Sequence, residues 1–363
     1  EFILPVMAML NTLGITLLYH INPNLATKQW LWSLLGLAMI GLIIIFLKDY
    51  FWLVEIKYSI MFLAFIFLIL TILVGDEAGG ARNWLSIRSF RFQPVEIVKF
   101  LVIIFASGYF YEHKNNLTKS PSRRNLFLID RLSIGPIVII IGLLLSLLTV
   151  QKDLGAALIF FAFLLALFFI VTGRLSLVIM GFLGFSLASS FAYFLFAHVR
   201  TRVAIWLDPW PLIDGAGYQP IQSFFALAQG GIFGMGLGMS FPGYIPAVAT
   251  DFIFSIAGAE LGFLGATLIV IFYFFISSRG LKLAENAPED FGFLLATGLS
   301  LLFAIQTLVI LGGILNLLPL TGVTLPLMSY GGSSLVINCV MLGLLIKLSS
   351  LFQLKEEGGY SGE

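Results

Sequence analysis

Charge and thiol are both scarce in this chain. Acidic and basic residues make up 11% of its 363 positions, whereas soluble domains carry roughly a quarter. With 59% of residues apolar, a water-soluble fold is excluded. One cysteine, Cys339, lies within an apolar run, which rules out an intrachain disulfide and a cysteine-based metal site and leaves a packing role. Net charge is only +1, so no basic field points to nucleic acid as a partner. A small-residue cleavage site is also missing. The first apolar run ends in Tyr19 and His20 and reads as a retained helix, while the glycine-rich stretch from Gly358 to Glu363 reads as a solvated tail.

What is abundant is uncharged apolar sequence in runs of about 20 residues, the length needed to cross a hydrocarbon core of about 30 Å. Hydropathy predicts ten such spans, at 2–19, 30–47, 58–74, 94–111, 133–150, 154–172, 175–197, 251–277, 291–315 and 333–351. The expected fold is therefore an all-α polytopic membrane protein. No internal repeat is evident, so residues 1–363 read as a single membrane domain. Its two long connections are a basic loop at 112–132 and a larger one at 198–250.

Lys114, Lys119, Arg123, Arg124 and Arg131 place the first of these loops on the cytoplasmic side, and ten spans then put both termini there too. The informative cations are those left on the outer side: Arg82, Arg88, Arg91, Lys99, Lys152, Arg200 and Arg202. Positive charge there opposes translocation and is expensive near lipid. It is offset either by ion pairs with Asp76, Glu77, Glu96, Asp153, Asp208, Asp214 and Asp251, or by an anionic ligand at the outer leaflet.

Five segments could carry chemistry. Residues 79–100 combine arginines with Trp84, Phe90 and Phe92 before Pro94 opens a helix, which reads as an amphipathic interfacial hairpin or a plain headgroup belt. Glu96 and Lys99, three apart, share a helix face and mark a bundle interior, whether as a salt bridge or as part of a cavity. Lys152 and Asp153 open the sixth span, where Asp153 could be an N-cap. The stretch 198–250 is too rich in glycine and proline for one continuous helix and too apolar for disorder. Its glycines from Gly231 to Gly238 lack the GK[ST] ending of a nucleotide loop.

Asp251 is the last charge before the eighth apolar run, so it is either a helix cap or a carboxylate facing a cleft, able to accept a proton. Glu260, deeper in that run, reads as a buried structural acid. The connection near 316–332 has no charge and two prolines, so it should dip back into the protein with its backbone satisfied there. Gly331, Gly332, Ser333 and Ser334 then begin a helix, suited to tight packing or to offering N–H groups to phosphate.

Taken in order, GARNWLSIRSFRFQPVEIVKF, QKDLGAALI, RVAIWLDPWPLIDGAGYQPIQS, GGIFGMGLGMS, TDFIFSIAGAELG and PLTGVTLPLMSYGGSS resemble the SEDS family of peptidoglycan glycosyltransferases over about residues 79–340. RFQP and TDFIF favour its elongation branch over its division branch. Asn83 before Trp84 and the apolar run ahead of Thr250 depart from the family pattern.

The resemblance implies a bacterial cytoplasmic-membrane enzyme that polymerises lipid II from its outer face, inverting the donor sugar. Asp251 would act as catalytic base on the acceptor hydroxyl. Substrate contacts would come from Arg82, Trp84, Glu96, Lys99, Lys152, Asp153, Arg200, Arg202, Gln219, Gln222, Ser223, Ser329, Tyr330, Ser333 and Ser334. It further implies a divalent cation (Mg or Mn) whose ligands no carboxylate spacing identifies, a class B penicillin-binding protein as transpeptidase partner, and other membrane proteins of the elongation machinery. A lipid II flippase or a non-catalytic scaffold are the competing classes.

Overall fold

The computed structural model describes residues 2–78, 81–87, 90–118 and 131–360. Arg88, Lys119, Arg123 and Arg124 of the expected basic set lie outside these. Along the chain come α1 (Ile3–Ile21), α2 (Pro23–Phe46), a single turn α3 (Trp52–Glu55) and α4 (Lys57–Val74). Strands β1 (Asp76–Ala78), β2 (Ala81–Ile87) and β3 (Phe90–Phe92) follow, then α5 (Pro94–Thr118), α6 (Arg131–Val150), α7 (Leu154–Thr172) and α8 (Leu175–Leu195). The remainder is α9 (Ala197–Leu207), α10 (Tyr218–Gly230), α11 (Ile253–Glu285), α12 (Asp290–Ile314) and α13 (Gly332–Tyr360).

Among the described residues, nine helices of 18 or more residues are apolar enough to cross a membrane. The tenth expected span falls in α6, whose apolar stretch Gly135–Val150 is shorter. α8 has no buried residue, although its Gly181 lies against the Leu165 side chain of α7. The chain is a multi-pass helical membrane protein.

Two local features depart from the sequence expectation. Strands β1, β2 and β3 form a small antiparallel sheet in that order, with Glu77 opposite Arg82 and Ser86 opposite Arg91. Segment 198–250, expected to lack continuous helix, contains α9 and the thirteen-residue α10. The reason is a small apolar face: Ile221, Ser223 and Gly230 are buried, and Leu227 sits where a Cβ on Gly258 of α11 would lie, 2.5 Å from its Cδ2.

The chain divides into two compact units. One comprises Glu1–Met39, Phe182–Arg279 and Phe303–Cys339, the other Ile40–Gly181, Gly280–Leu302 and Val340–Glu363. In the second unit α5 is buried along most of its length, with Val98, Ile103, Phe105, Ala106 and Phe110 nearly inaccessible. α7 is started by the Asp153 carboxylate, which accepts the Ala156 N–H at 3.0 Å, and is stopped by Gly173 at φ 65°.

In the first unit α11 breaks at Gly262 (φ 70°, ψ −172°), and the glycine-rich loop fills the break. Met235 and Gly236 N–H donate to the Ala259 and Glu260 carbonyls at 2.9 and 3.0 Å, while Phe263 and Leu264 N–H donate to the Gly231 and Ile232 carbonyls at 2.9 and 3.2 Å. A helix can open within a membrane only where other backbone takes over its hydrogen bonds. Here the glycines are the condition, since a Cβ on Gly234 would stand 2.1 Å from the Glu260 carbonyl oxygen. This gives the run from Gly231 to Gly238 a structural purpose that no nucleotide is needed to explain.

Glu260 is buried beside this break, where Oε1 meets His20 Nδ1 at 2.6 Å and accepts Ser240 Oγ–H at 2.7 Å. The uncharged segment after α12 runs inside the first unit as expected, with Leu325, Leu327, Met328 and Ser329 buried. Cys339 packs as expected too, its Sγ close against Gly36.

Candidate active site

Asp251 ends a tight turn rather than beginning the helix. Its N–H and that of Thr250 both donate to the Ala247 carbonyl, at 3.0 and 3.2 Å, and Ala247 itself holds φ 51°. A non-glycine residue in that region costs about 1 to 2 kcal/mol, so neighbouring contacts must hold it. Two do. Gln219 Nε2 of α10 donates to the Pro246 carbonyl at 2.8 Å, and Tyr330 N–H donates to the Ala249 carbonyl at 2.8 Å.

Asp251 is half-buried, with Phe252 and Ile253 behind it buried. Burial pushes its carboxyl up from 3.8 to about 6, against the hydrogen bond of Thr250 and the charge of Arg202, which act in the opposite direction. The group is therefore a carboxylate at neutral pH whose proton affinity exceeds that of an exposed aspartate. That combination suits a general base.

Arg202 is fixed on α9 by Nη1 donating to the Leu320 and Thr321 carbonyls at 2.9 and 3.2 Å. Arg200 is exposed and bonds the Phe194 carbonyl at 3.2 Å. Gln222 and Ser333 are half-buried. Three of the expected contacts are tied internally. Ser223 Oγ is buried against Ser255 Oγ at 2.6 Å. Ser329 Oγ accepts the Leu325 N–H at 3.0 Å, and Ser334 Oγ accepts from Thr324 Oγ1 at 2.9 Å. Tyr330 is half-buried, and burial raises its phenol above the ordinary value.

The second unit collects the other candidates. Lys99 Nζ and Glu96 Oε2 form a salt bridge at 2.6 Å with both side chains buried. Asp153, besides capping α7, faces Asn83 Nδ2 at 3.3 Å. Arg82 is exposed, its Nη1 on the Ile72 carbonyl at 3.2 Å and its N–H on the Gln151 carbonyl at 3.1 Å. With exposed Lys152, held at φ 61°, it lines a concavity of about 240 Å³ whose other walls are Ile72, Glu77, Val150 and Gln151. Arg91 lies 5.5 Å from the Trp84 ring, occupying that face by a cation–π contact. Sequence reasoning passed over Asn83 and Gln151 as contributors here.

Among the described residues, no three histidine, cysteine or carboxylate side chains converge.

The chain matches the family model FtsW/RodA/SpoVE, described as cell cycle protein, over residues 2–353. It is 38% identical over 362 residues to the peptidoglycan glycosyltransferase RodA of Mycobacterium tuberculosis, covering 96% of this chain and 77% of that one. Stage V sporulation protein E of Bacillus subtilis is 33% identical over 330 residues, covering 89% and 86%. Among solved structures, a chain of a peptidoglycan synthase complex that coordinates polymerization and crosslinking superposes with TM-score 0.79 at 26% identity, covering 96% and 97%. The rod shape determining protein RodA of Thermus thermophilus superposes at 0.69, covering 96% of each chain, with 24% identity, a likeness of fold.

Proposed function

Because the chain belongs to the FtsW/RodA/SpoVE family of cell cycle proteins, we propose that it is a peptidoglycan glycosyltransferase of cell elongation that polymerises lipid II. The observation that carries the mechanism is Asp251: a half-buried residue held on a strained turn, its carboxylate retained by burial at a proton affinity suited to a base, with Arg202 fixed nearby. The acceptor sugar hydroxyl gives its proton to, or is oriented by, Asp251 as its oxygen attacks the anomeric carbon of the donor. The bond from that carbon to the diphosphate oxygen breaks on the opposite face, so the configuration inverts. The electron pair leaves with the diphosphate.

Developing negative charge on the leaving group calls for fixed cations. Arg202, whose charge acts on Asp251 within the same unit and whose guanidinium is fixed on two carbonyls, is the side chain assigned to this. A divalent cation, in this reading, is brought by the diphosphate itself, and no step is assigned to it. The outer-face placement of Asp251, cytoplasmic termini, and a class B penicillin-binding protein as crosslinking partner complete the proposal. They are supported by the charge of the loops and by likeness to a chain of a synthase complex.

The test is polymerisation of lipid II by the purified protein in detergent. Wild type makes glycan chains and Asp251→Asn does not. Polymer from the variant at the wild-type rate, or movement of lipid II across liposomes without polymer, defeats the proposal.

A further inference from the structure

Gln29 of α2 is fully buried. A buried amide is costly unless both its ends are paired, and here they are. Nε2 donates to the Ser329 carbonyl at 3.0 Å, and Oε1 accepts the Gly331 N–H at 3.3 Å. The two bonds bracket Tyr330, whose own N–H goes to the Ala249 carbonyl, two residues before Asp251.

The grip is itself braced. Ser33 Oγ donates to the Gln29 carbonyl at 2.8 Å, and Asn11 Nδ2 of α1 donates to Ser33 Oγ at 2.9 Å. Beside it the Trp32 ring lies so close to Gly332 that a Cβ there would be 2.2 Å from Cε2. At its other end the same uncharged stretch offers the Leu320 and Thr321 carbonyls that fix Arg202. One segment thus holds both the acid and its cation.

An apolar residue of equal size would fill the Gln29 site and suit a membrane helix better. It would leave the Ser329 carbonyl and the Gly331 N–H without these partners, and it would remove the directional bonds that set the segment's register. We propose that Gln29 is a positioning residue for polymerisation: through Ser329, Gly331 and the Tyr330 N–H it fixes where Ala249, and hence the Asp251 carboxylate, stands relative to the acceptor hydroxyl. This rests on the reading of Asp251 as the base.

The experiment is steady-state polymerisation of lipid II against pH, with the full chain in detergent, for wild type, Gln29→Met, Gln29→Glu and Asp251→Asn, with melting temperatures alongside. Gln29→Met is expected to fold and to lose about ten- to a hundredfold in kcat, the scale on which a misplacement of about 1 Å acts, with KM within about twofold. Its acidic limb should move to lower pH, because a loosened turn admits water to the carboxylate. Arg202 and the Thr250 hydroxyl, the other groups acting on that carboxylate, are unchanged. Gln29→Glu keeps an acceptor for the Gly331 N–H and should recover part of kcat.

Wild-type kcat and limb in Gln29→Met overturn the inference, as does a fall in rate matched by loss of folded protein with the limb unmoved. Where Gln29→Met does not fold, Gln29→Glu decides. A lowered kcat with a displaced limb supports the role, and wild-type behaviour overturns it. An inactive Asp251→Asn beside a wild-type Gln29→Met sinks this inference alone, whereas an active Asp251→Asn sinks the reading of the base and this inference with it.

Discussion

A single carboxylate at Asp251 carries a conflict between folding and chemistry. Titrating near 6 rather than 3.8, it binds its proton more tightly folded than unfolded. Its contribution therefore favours folding below the unfolded value and is lost as pH rises through about 6, a loss on the order of 3 kcal/mol at neutral pH. Asp251→Asn should accordingly melt higher than wild type at neutral pH while making no glycan, a pairing that an unfolded or merely weakened variant could not give.

Arg202 lowers the same carboxyl, so removing it must raise it. Arg202→Met is expected to shift the acidic limb of kcat/KM upward, and Arg202→Lys to recover little, because one ammonium group cannot reproduce a guanidinium set on two carbonyls. An unmoved limb in Arg202→Met would separate this arginine from the base. Asp251 was legible as the last charge before an apolar run. Gln29 was not, since nothing in α2 distinguishes a buried, doubly bonded amide from a surface one when its partners lie about 300 residues along.

At the scale of elements, hydropathy located the nine long apolar helices among the described residues and the shorter α6, because runs such as Leu154–Thr172 or Asp290–Ile314 need only length and freedom from charge. It missed ends by up to about eight residues where a helix continues past its apolar run, as in Pro23–Phe46 and Ile253–Glu285. It was blind to what those helices do midway. The break in α11 depends on Gly262 meeting Gly234, and neither periodicity nor propensity reports a contact between two backbones. α10 was missed because its thirteen residues hold a proline and three polar glutamines, and only four of them, Pro220, Ile221, Ser223 and Gly230, are buried. The sheet at 76–92 was foreseen only as a hairpin.

The glycine contact makes the sharper prediction. Gly234 holds φ 85° and a Cβ there would stand 2.1 Å from backbone oxygen. Gly234→Ala should therefore cost about 2 to 4 kcal/mol, seen as a large drop in melting temperature or in yield. Gly243, with open space where a Cβ would go, should accept alanine within about 0.5 kcal/mol. Equal stability of the two variants would refute the clasp.

For the whole molecule, the proposed chemistry demands that Asp251 face the side where lipid-linked sugars are joined to the wall. Loop charge is the argument for this. With ten spans, the connections carrying Lys114, Arg174, Arg279, Lys282 and Lys347 are expected on one side of the membrane, and such positive charge disfavours export of that side. The lone, buried Cys339 makes the test clean. In a Cys339→Ala chain, Gly243→Cys probes the segment leading to Asp251, and Asn286→Cys probes the exposed turn between α11 and α12. A maleimide that does not cross membranes should label Gly243→Cys in intact spheroplasts and Asn286→Cys only after permeabilisation. The reverse pattern would put Asp251 in the cytoplasm, where a polymerase of exported glycan cannot use it.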